Sequence, residues 1–382
     1  MKIAYVCNEY PPRPHGGIGT FVQALSHGMC TRGHEVTVVG LGEAYQEYKD
    51  QGVRVTTLRA NKTRYLGPLI ARIGLHRWLS SRVRSGKLDI IEAPEFGGFL
   101  PFNVSGCQVI LRLHDSVTCM ARQTRENVRR SVSFYERRTL RTNLYWIAVS
   151  RFILDLTQTT FGIAPKLSAI IYNPVGPLPN SFPEVPGLPA SYVLYAGSVS
   201  RRKGALVLAE AARDFMPTHP ELHLVYAGTL VEENGRSIAE NIREILGPDL
   251  AQRVHCLGHL DRAAVLTCMT HAKVFALPSF VEAFSLSPPE AMACGAPVVY
   301  TKVASGPEAV EDGITGLLAD PHAPGDVGRK VACLLDDPDF ATRLATNGRK
   351  TVAQRYSLEK CVEATEEFYR ECLDHRNTGT TT

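Results

Sequence analysis

Two glutamates eight positions apart, Glu282 and Glu290, lie in the segment Leu277-Pro278-Ser279-Phe280-Val281-Glu282-Ala283-Phe284-Ser285-Leu286-Ser287-Pro288-Pro289-Glu290-Ala291-Met292-Ala293-Cys294-Gly295-Ala296-Pro297-Val298-Val299. A carboxylate accepts hydrogen bonds from two neighbouring hydroxyls at once, and free N–H groups at a helix start suit a diphosphate. Upstream, Tyr195-Ala196-Gly197-Ser198-Val199-Ser200-Arg201-Arg202-Lys203-Gly204 supplies three adjacent cations, Arg201, Arg202 and Lys203, before a glycine. Near the start, Glu9-Tyr10-Pro11-Pro12-Arg13-Pro14-His15-Gly16-Gly17-Ile18-Gly19 is a glycine-rich turn that removes side chains, so that backbone N–H groups can approach a phosphate. It lacks the Gly-x-Gly-x-x-Gly spacing and the later acidic residue of a dinucleotide site. Leu111-Arg112-Leu113-His114-Asp115 ends an apolar run on a histidine.

These residues need strands and helices to place them. The apolar run Lys273 to Leu277 reads as a buried strand, and Glu290 to Cys294 as a helical turn stopped by Gly295 and Pro297. Pro288 and Pro289 fit a first helical turn, so the loop from Ser279 to Ser287 leaves the carboxyl end of a strand and enters a helix. That edge of an α/β sheet is where ligands bind. Elsewhere, strand-like runs at Ile3–Val6, Glu35–Val39, Val53–Leu58, Asp89–Ile91, Val109–Leu113, Trp146–Val149 and Ser168–Ile171 alternate with helical patterns. The alternation resumes at Tyr192–Ala196, Leu222–Ala227, Val254–Leu257, Val274–Leu277 and Val298–Tyr300. The pattern predicts an α/β chain with two doubly wound parallel sheets. Proline recurs too densely over 173–189 for a helix or central strand. The expected organisation is therefore a Rossmann-like domain over 1–175, a linker over 176–190, a second such domain over 191–355, and a helix over 356–376, with a loose tail after Asn377.

In this setting the Glu282–Glu290 segment resembles the E-x7-E signature of retaining glycosyltransferases with the GT-B architecture, most closely family 4. The resemblance spans nearly the whole chain, densest over 254–320 and thinnest over 43–84. It implies two Rossmann-like domains facing a cleft, with the last helix crossing back onto the first. It implies that Glu282 faces the donor sugar, Glu290 bonds the ribose hydroxyls and Lys203 pairs with donor phosphates. Gly16, Gly17 and Gly19 correspond to its Pro-Pro-x-x-x-Gly-Gly loop, and His114 to a histidine near the donor sugar. Arg202, Ser285, Leu286 and Ser287 complete the implied donor contacts, and Gly228, Leu257 and Gly258 flank the nucleobase. Glu92, Glu95 and Asp115 are assigned to acceptor hydroxyls. Two departures stand out: Ser198 replaces a usual arginine, and Ala283 and Ser285 replace usual glycines. A positive φ at Ala283 or Ser285 would strain the loop.

At 382 residues, with 44% hydrophobic and 21% charged residues, the chain is long enough for two cores, and no apolar run reaches the length of a membrane span. Ten cysteines are scattered without a C-x-x-C pair, which predicts no disulfide framework and no metal site. Net charge is +4, but residues 1–180 hold 23 basic and 12 acidic side chains against 19 and 26 in the remainder. The excess concentrates over 59–87 and 122–141; the latter spacing fits one amphipathic helix with a basic face, read either as a solvated face or as a surface for anionic phospholipid or an anionic acceptor. No signal peptide precedes the first strand, so a cytoplasmic protein is expected, peripheral to the membrane in the second reading.

The expected activity is metal-independent, retaining transfer of a sugar from a nucleotide-sugar donor, UDP- or GDP-linked, to a hydroxyl acceptor in polysaccharide, lipopolysaccharide or other glycoconjugate assembly. No other cofactor and no nucleic-acid partner are expected. A soluble small-molecule acceptor, a sugar-nucleotide 2-epimerase and a catalytically silent sugar-nucleotide binder remain open alternatives.

Overall fold

A computed structural model describes every residue except 14–15, 61–62, 64–65, 234 and 380–382. It divides into two compact units, Met1–Pro174 with the segment from Leu358 onward, and Val175–Ser357. The proline-rich stretch 176–190 thus belongs to the second unit.

The first unit runs β1 (Lys2–Val6), α1 (Gly17–Thr31), β2 (Glu35–Gly42), β3 (Gln46–Asp50), β4 (Val53–Arg59), α2 (Gly67–Arg84), β5 (Ile90–Pro94), β6 (Gln108–Leu113), α3 (Val117–Thr124), α4 (Arg130–Thr142), β7 (Tyr145–Ala148), α5 (Arg151–Phe161) and β8 (Leu167–Ile170). Its sheet has the order β3-β4-β2-β1-β5-β6-β7-β8. All pairings are parallel except β3 with β4. Strand order reverses between β1 and β5, so loops leaving those strands open a crevice. The strand β3, sequence Gln-Glu-Tyr-Lys-Asp, has no apolar run and sits at the edge, where charged side chains block further pairing.

The basic stretch 122–141 is two helices, not the single one its spacing suggests. Arg125 takes a left-handed conformation, φ 58°, and ends α3, and α4 begins at Arg130. The buried face of α4 carries Glu136, Thr139 and Leu140, while Phe134 is exposed.

The second unit runs β9 (Tyr192–Ala196), α6 (Ala205–Phe215), β10 (His223–Ala227), β11 (Glu232–Glu233), β12 (Arg236–Ser237), α7 (Ile238–Ala251), β13 (Val254–Gly258), α8 (Arg262–His271), β14 (Val274–Leu277), α9 (Ser287–Cys294), β15 (Val298–Thr301), α10 (Gly306–Ala309), β16 (Leu317–Ala319), α11 (Pro324–Asp336) and α12 (Pro338–Arg355). The parallel sheet has the order β13-β10-β9-β14-β15-β16, and β11–β12 form a separate antiparallel pair. Central strands β9 and β14 are fully buried, which is why they read as unbroken apolar runs. Asp261 and Asp337 cap α8 and α12 by accepting from the amides of Ala264 and Phe340.

The last helix, α13, spans Leu358–Gly379 and packs in the first unit. Cys361, Val362, Phe368, Tyr369 and Cys372 join the core of Ile3, Tyr5, Phe21, Leu25, Met29 and Val38. The expected loose tail is helical through Gly379, and residues 380–382 lie outside the described residues. No described helix is long and apolar enough to cross a membrane.

Candidate active site

In the second unit the sheet reverses between β9 and β14, and the loops leaving these two strands bring Lys203 and Glu282 together. Lys203 Nζ lies 3.2 Å from Glu282 Oε1, both side chains mostly buried. Ser279 Oγ donates to the same carboxylate oxygen at 3.0 Å, and Ser305 Oγ donates to the Glu282 carbonyl at 3.0 Å. The two loops are also tied by their backbones: the Phe280 amide donates to the Arg202 carbonyl at 3.0 Å, and Arg202 donates to the Val281 carbonyl at 3.4 Å. Gly204 is forced by this junction. Its φ is 76°, and a Cβ there would lie 2.0 Å from the Pro278 carbonyl oxygen.

Ala283 and Ser285 do not take a positive φ, so their departure from glycine leaves the loop unstrained. Ser285 is buried, Leu286 stands just before α9 without a side-chain capping bond, and Ser287 opens the helix. Glu290, in the first turn of α9, pairs with Arg262 at 2.9 Å. Burial raises the Glu290 carboxyl above its ordinary value, against the opposing pull of Arg262. The same guanidinium donates to the carbonyls of Gly176 and Pro177, at 3.2 and 3.1 Å. Arg262 had no signal in the sequence, because its partners are 28 and about 86 positions away. Gly228 and Gly258 are joined by a backbone hydrogen bond of 2.8 Å beside Leu257, at the carboxyl ends of β10 and β13. Gly228 has φ 146°, and a Cβ there would press on the Gly197 carbonyl at 1.9 Å. Ser198 is exposed, and its carbonyl accepts from the Tyr195 hydroxyl at 2.8 Å.

In the first unit the expected residues also gather at carboxyl ends, but much of their bonding capacity is already used. Gly16, Gly17 and Gly19 open α1, where the Glu9 carboxylate accepts from the amides of Gly16 and Gly19, each at 3.2 Å. An internal anion therefore holds the amides expected for a diphosphate. His114 follows β6, stacks edge-on against Phe21, and has its imidazole pushed down to about 3 by burial and then by Arg112. Across neutral pH this ring is uncharged.

Glu92 and Glu95 are not placed for acceptor hydroxyls. Glu92 is buried and bidentate with Arg112, at 2.7 and 3.0 Å, and accepts from the Tyr369 hydroxyl of α13 at 2.6 Å. A carboxylate beneath a sheet needs such partners, because an unpaired buried charge costs several kcal/mol. Glu95 has no exposed surface and accepts the His114 amide on both oxygens, at 2.8 and 3.0 Å. Burial, ahead of the neighbouring charges of Glu136 and Asp115, pushes its carboxyl up to about 8 despite that amide. Asp115 is buried, with a φ of 89° that is rare outside glycine. Glu136, read from sequence only as part of the basic stretch, accepts from the amides of Gly97, Val117 and Thr118 at 2.9–3.0 Å and so shapes the loops on both sides of His114. Among the described residues no metal-holding group of His, Cys, Asp or Glu gathers.

Two doubly wound sheets, each with its polar cluster at the carboxyl edge, define a glycosyltransferase of GT-B fold. The chain belongs to that enzyme family: residues 15–177 match Glycosyltransferase Family 4, and residues 182–351 match Glycosyl transferases group 1. An uncharacterized glycosyltransferase of Methanocaldococcus jannaschii is 25% identical over 98% of this chain and 99% of its own. In fold, the chain is similar to sucrose-phosphate synthase from Thermosynechococcus elongatus, with TM-score 0.75 and 22% identity over 98% of this chain and 99% of that one. It is likewise similar to Anabaena HepE in complex with UDP and glucose, with TM-score 0.72 and 20% identity over 97% and 100% of the two chains.

Proposed function

We propose that the protein transfers a sugar, with retention and without a metal ion, from a nucleoside-diphosphate donor to a hydroxyl acceptor. The observation that carries this reading is the Lys203–Glu282 pair, 3.2 Å apart on the loops that leave β9 and β14. A switch point between those strands is where this sheet type binds nucleotides. Glu282 orients the sugar hydroxyls, and Lys203 neutralises the departing diphosphate. Arg202, Ser285, Leu286 and Ser287 line the donor, Glu290 holds the ribose, and Gly228, Leu257 and Gly258 flank the base. The UDP held by the similar Anabaena fold supports a UDP-sugar over a GDP-sugar.

In the transfer, the bond from the anomeric carbon to the diphosphate oxygen breaks as the acceptor oxygen bonds that carbon on the same face. The acceptor proton passes to the leaving phosphate. In the first unit, His114 is an uncharged hydrogen-bonding group for a substrate, while the amides of Gly16 and Gly19 are occupied by the Glu9 carboxylate.

For the acceptor, we propose a lipid-linked intermediate of glycoconjugate assembly, met at an anionic membrane surface. Exposed Phe134 on α4, flanked in sequence by Arg129, Arg130, Arg137 and Arg138, supports it. Titration calorimetry with UDP, GDP, ADP and TDP, with and without EDTA, tests the donor site. Tight, chelator-insensitive binding of one nucleotide that weakens in Glu290→Ala is expected, and no binding of any would overturn the reading. Product analysis separates transfer from epimerisation, and co-sedimentation with phosphatidylglycerol vesicles separates the lipid acceptor from a soluble one.

A further inference from the structure

The first unit has a polar cavity at the opposite edge of its sheet from Gly16 and His114. It measures about 350 Å³ and lies at the amino ends of β2 and β4, beneath the last turns of α2. Four cations line it: Lys49 of β3, Arg54 of β4, Arg82 of α2 and Lys87 just before β5. Glu35 is the single acid. Val36 and Leu88 are buried at its base, Trp78 and Arg82 are half-buried, and the other charged groups are exposed.

The register makes this arrangement costly without a ligand. Lys49 stands directly opposite Arg54 in the β3–β4 ladder, and Arg54 directly opposite Thr37 in the β4–β2 ladder, so the three share one face of the sheet. Like charges directly opposed across strands destabilise a sheet. Among the described residues, the side chains of Lys49, Arg54 and Lys87 make no ion pair or hydrogen bond, and Arg82 stacks over Trp78, 4.7 Å from the ring centre, with the Tyr45 hydroxyl within reach of its charge. The position of Arg82 near a helix end is favourable by itself. That explanation does not reach Lys49, Arg54 or Lys87.

An anion relieves the repulsion, and the other groups narrow its kind. The volume exceeds a lone phosphate and falls at the small end of ligand pockets, about 300–1,000 Å³. Glu35 repels a bare dianion but accepts from hydroxyls, as does Thr37. Trp78 offers an apolar ring for a C–H face. We propose that this cavity is a second binding site, separate from the transfer site, for a phosphorylated polyol such as a sugar phosphate. Its phosphate lies among Lys49, Arg54, Arg82 and Lys87, and its hydroxyls lie on Glu35 and Thr37. The same chemistry is carried by a free sugar phosphate and by a phosphoinositol headgroup.

The test is titration calorimetry on the full chain with glucose 6-phosphate and with inorganic phosphate, beside co-sedimentation with phosphatidylcholine vesicles with or without phosphatidylinositol. Wild type is compared with the double variant Arg54→Gln, Lys87→Gln, whose fold is checked by its melting temperature. Both positions are exposed and belong to no part of the transfer site. Saturable binding of glucose 6-phosphate, or of the phosphatidylinositol vesicles, is expected to weaken at least tenfold in the variant and to fall with added salt. The arm that binds identifies the source. Binding in neither arm, binding unchanged by the variant, or inorganic phosphate binding as tightly as glucose 6-phosphate would each overturn the proposal.

Discussion

The two units use acidic side chains in opposite ways. In the second, Glu282 sits on the loop leaving β14 with one lysine and one serine as partners, and Glu290 meets a half-exposed arginine. In the first, Glu92, Glu95 and Glu136 are buried and spent on an arginine, a tyrosine and backbone amides, and Glu9 holds the start of α1. The same residue type at the same kind of sheet edge thus pairs with a few side chains in one unit and builds loops in the other. What separates the roles is not burial, since Glu282 is buried too, but partners: Glu282 meets only the side chains of Lys203 and Ser279, whereas Glu95 and Glu136 are bonded to backbone amides and Glu92 is bidentate with Arg112, which leaves them little for a substrate.

The comparison is broken most severely at Glu92. Glu92→Ala leaves Arg112 charged and buried at 1% exposure, and a loss of about 3–5 kcal/mol is expected in urea denaturation. Because the Tyr369 hydroxyl also loses its 2.6 Å acceptor and keeps only the longer contact to Tyr5, α13 should become sensitive to protease. If Glu92→Ala changed only the acceptor KM, Glu92 would be a substrate group after all. Lys203→Ala is the counterpart in the second unit. Turnover should fall by about 10²–10³, and stability should fall as well, because buried Glu282 loses its charge partner and keeps Ser279. Full activity in that variant would remove the contrast.

A milder effect separates the units by pH. The Glu95 carboxyl is pushed up to about 8 in the folded chain, whereas unfolded it titrates near its ordinary value of 4.5. Between those values the folded state holds the extra proton, so this group's contribution to stability is full below about 4.5 and is lost as pH rises toward 8. Glu95→Gln should flatten that decline in denaturation curves taken from pH 5 to 9; an unchanged slope would place the titration elsewhere. In the second unit, Arg262→Ala should raise the Glu290 carboxyl further, moving the pH midpoint of nucleotide binding upward. The smallest change belongs to the loop after Glu282. Since Ala283 and Ser285 lack positive φ, replacing either with glycine should relieve nothing and destabilise by about 0.4–1 kcal/mol through added freedom in the unfolded chain.

Most strands of both sheets were legible as apolar runs, because parallel strands covered on both faces carry no polar alternation. Those that escaped had physical reasons. The edge strand β3 is polar, β16 is only three residues long, and β11–β12 are two residues each. The break between α3 and α4 carries no glycine or proline, only Arg125 in a left-handed turn. In the second unit, the Glu282 loop, Lys203 and the stop at Gly295 were readable because each is a local motif at a strand or helix end. Arg262, Glu136 and Glu9 were not, since each acts on partners distant along the chain or on backbone amides of any residue type.

By itself the sequence determined the class of this protein: two α/β units, the strands that form their cores, and the lysine and glutamates at the second sheet's carboxyl edge. Local patterns suffice there, because a strand's burial and a loop's exit point follow from nearby residues. Only the tertiary structure decided which acids are free to meet a ligand and which are bound into the scaffold. It also decided which cations oppose one another across β3 and β4. Burial and register depend on what packs from elsewhere in the chain, and no local pattern contains that.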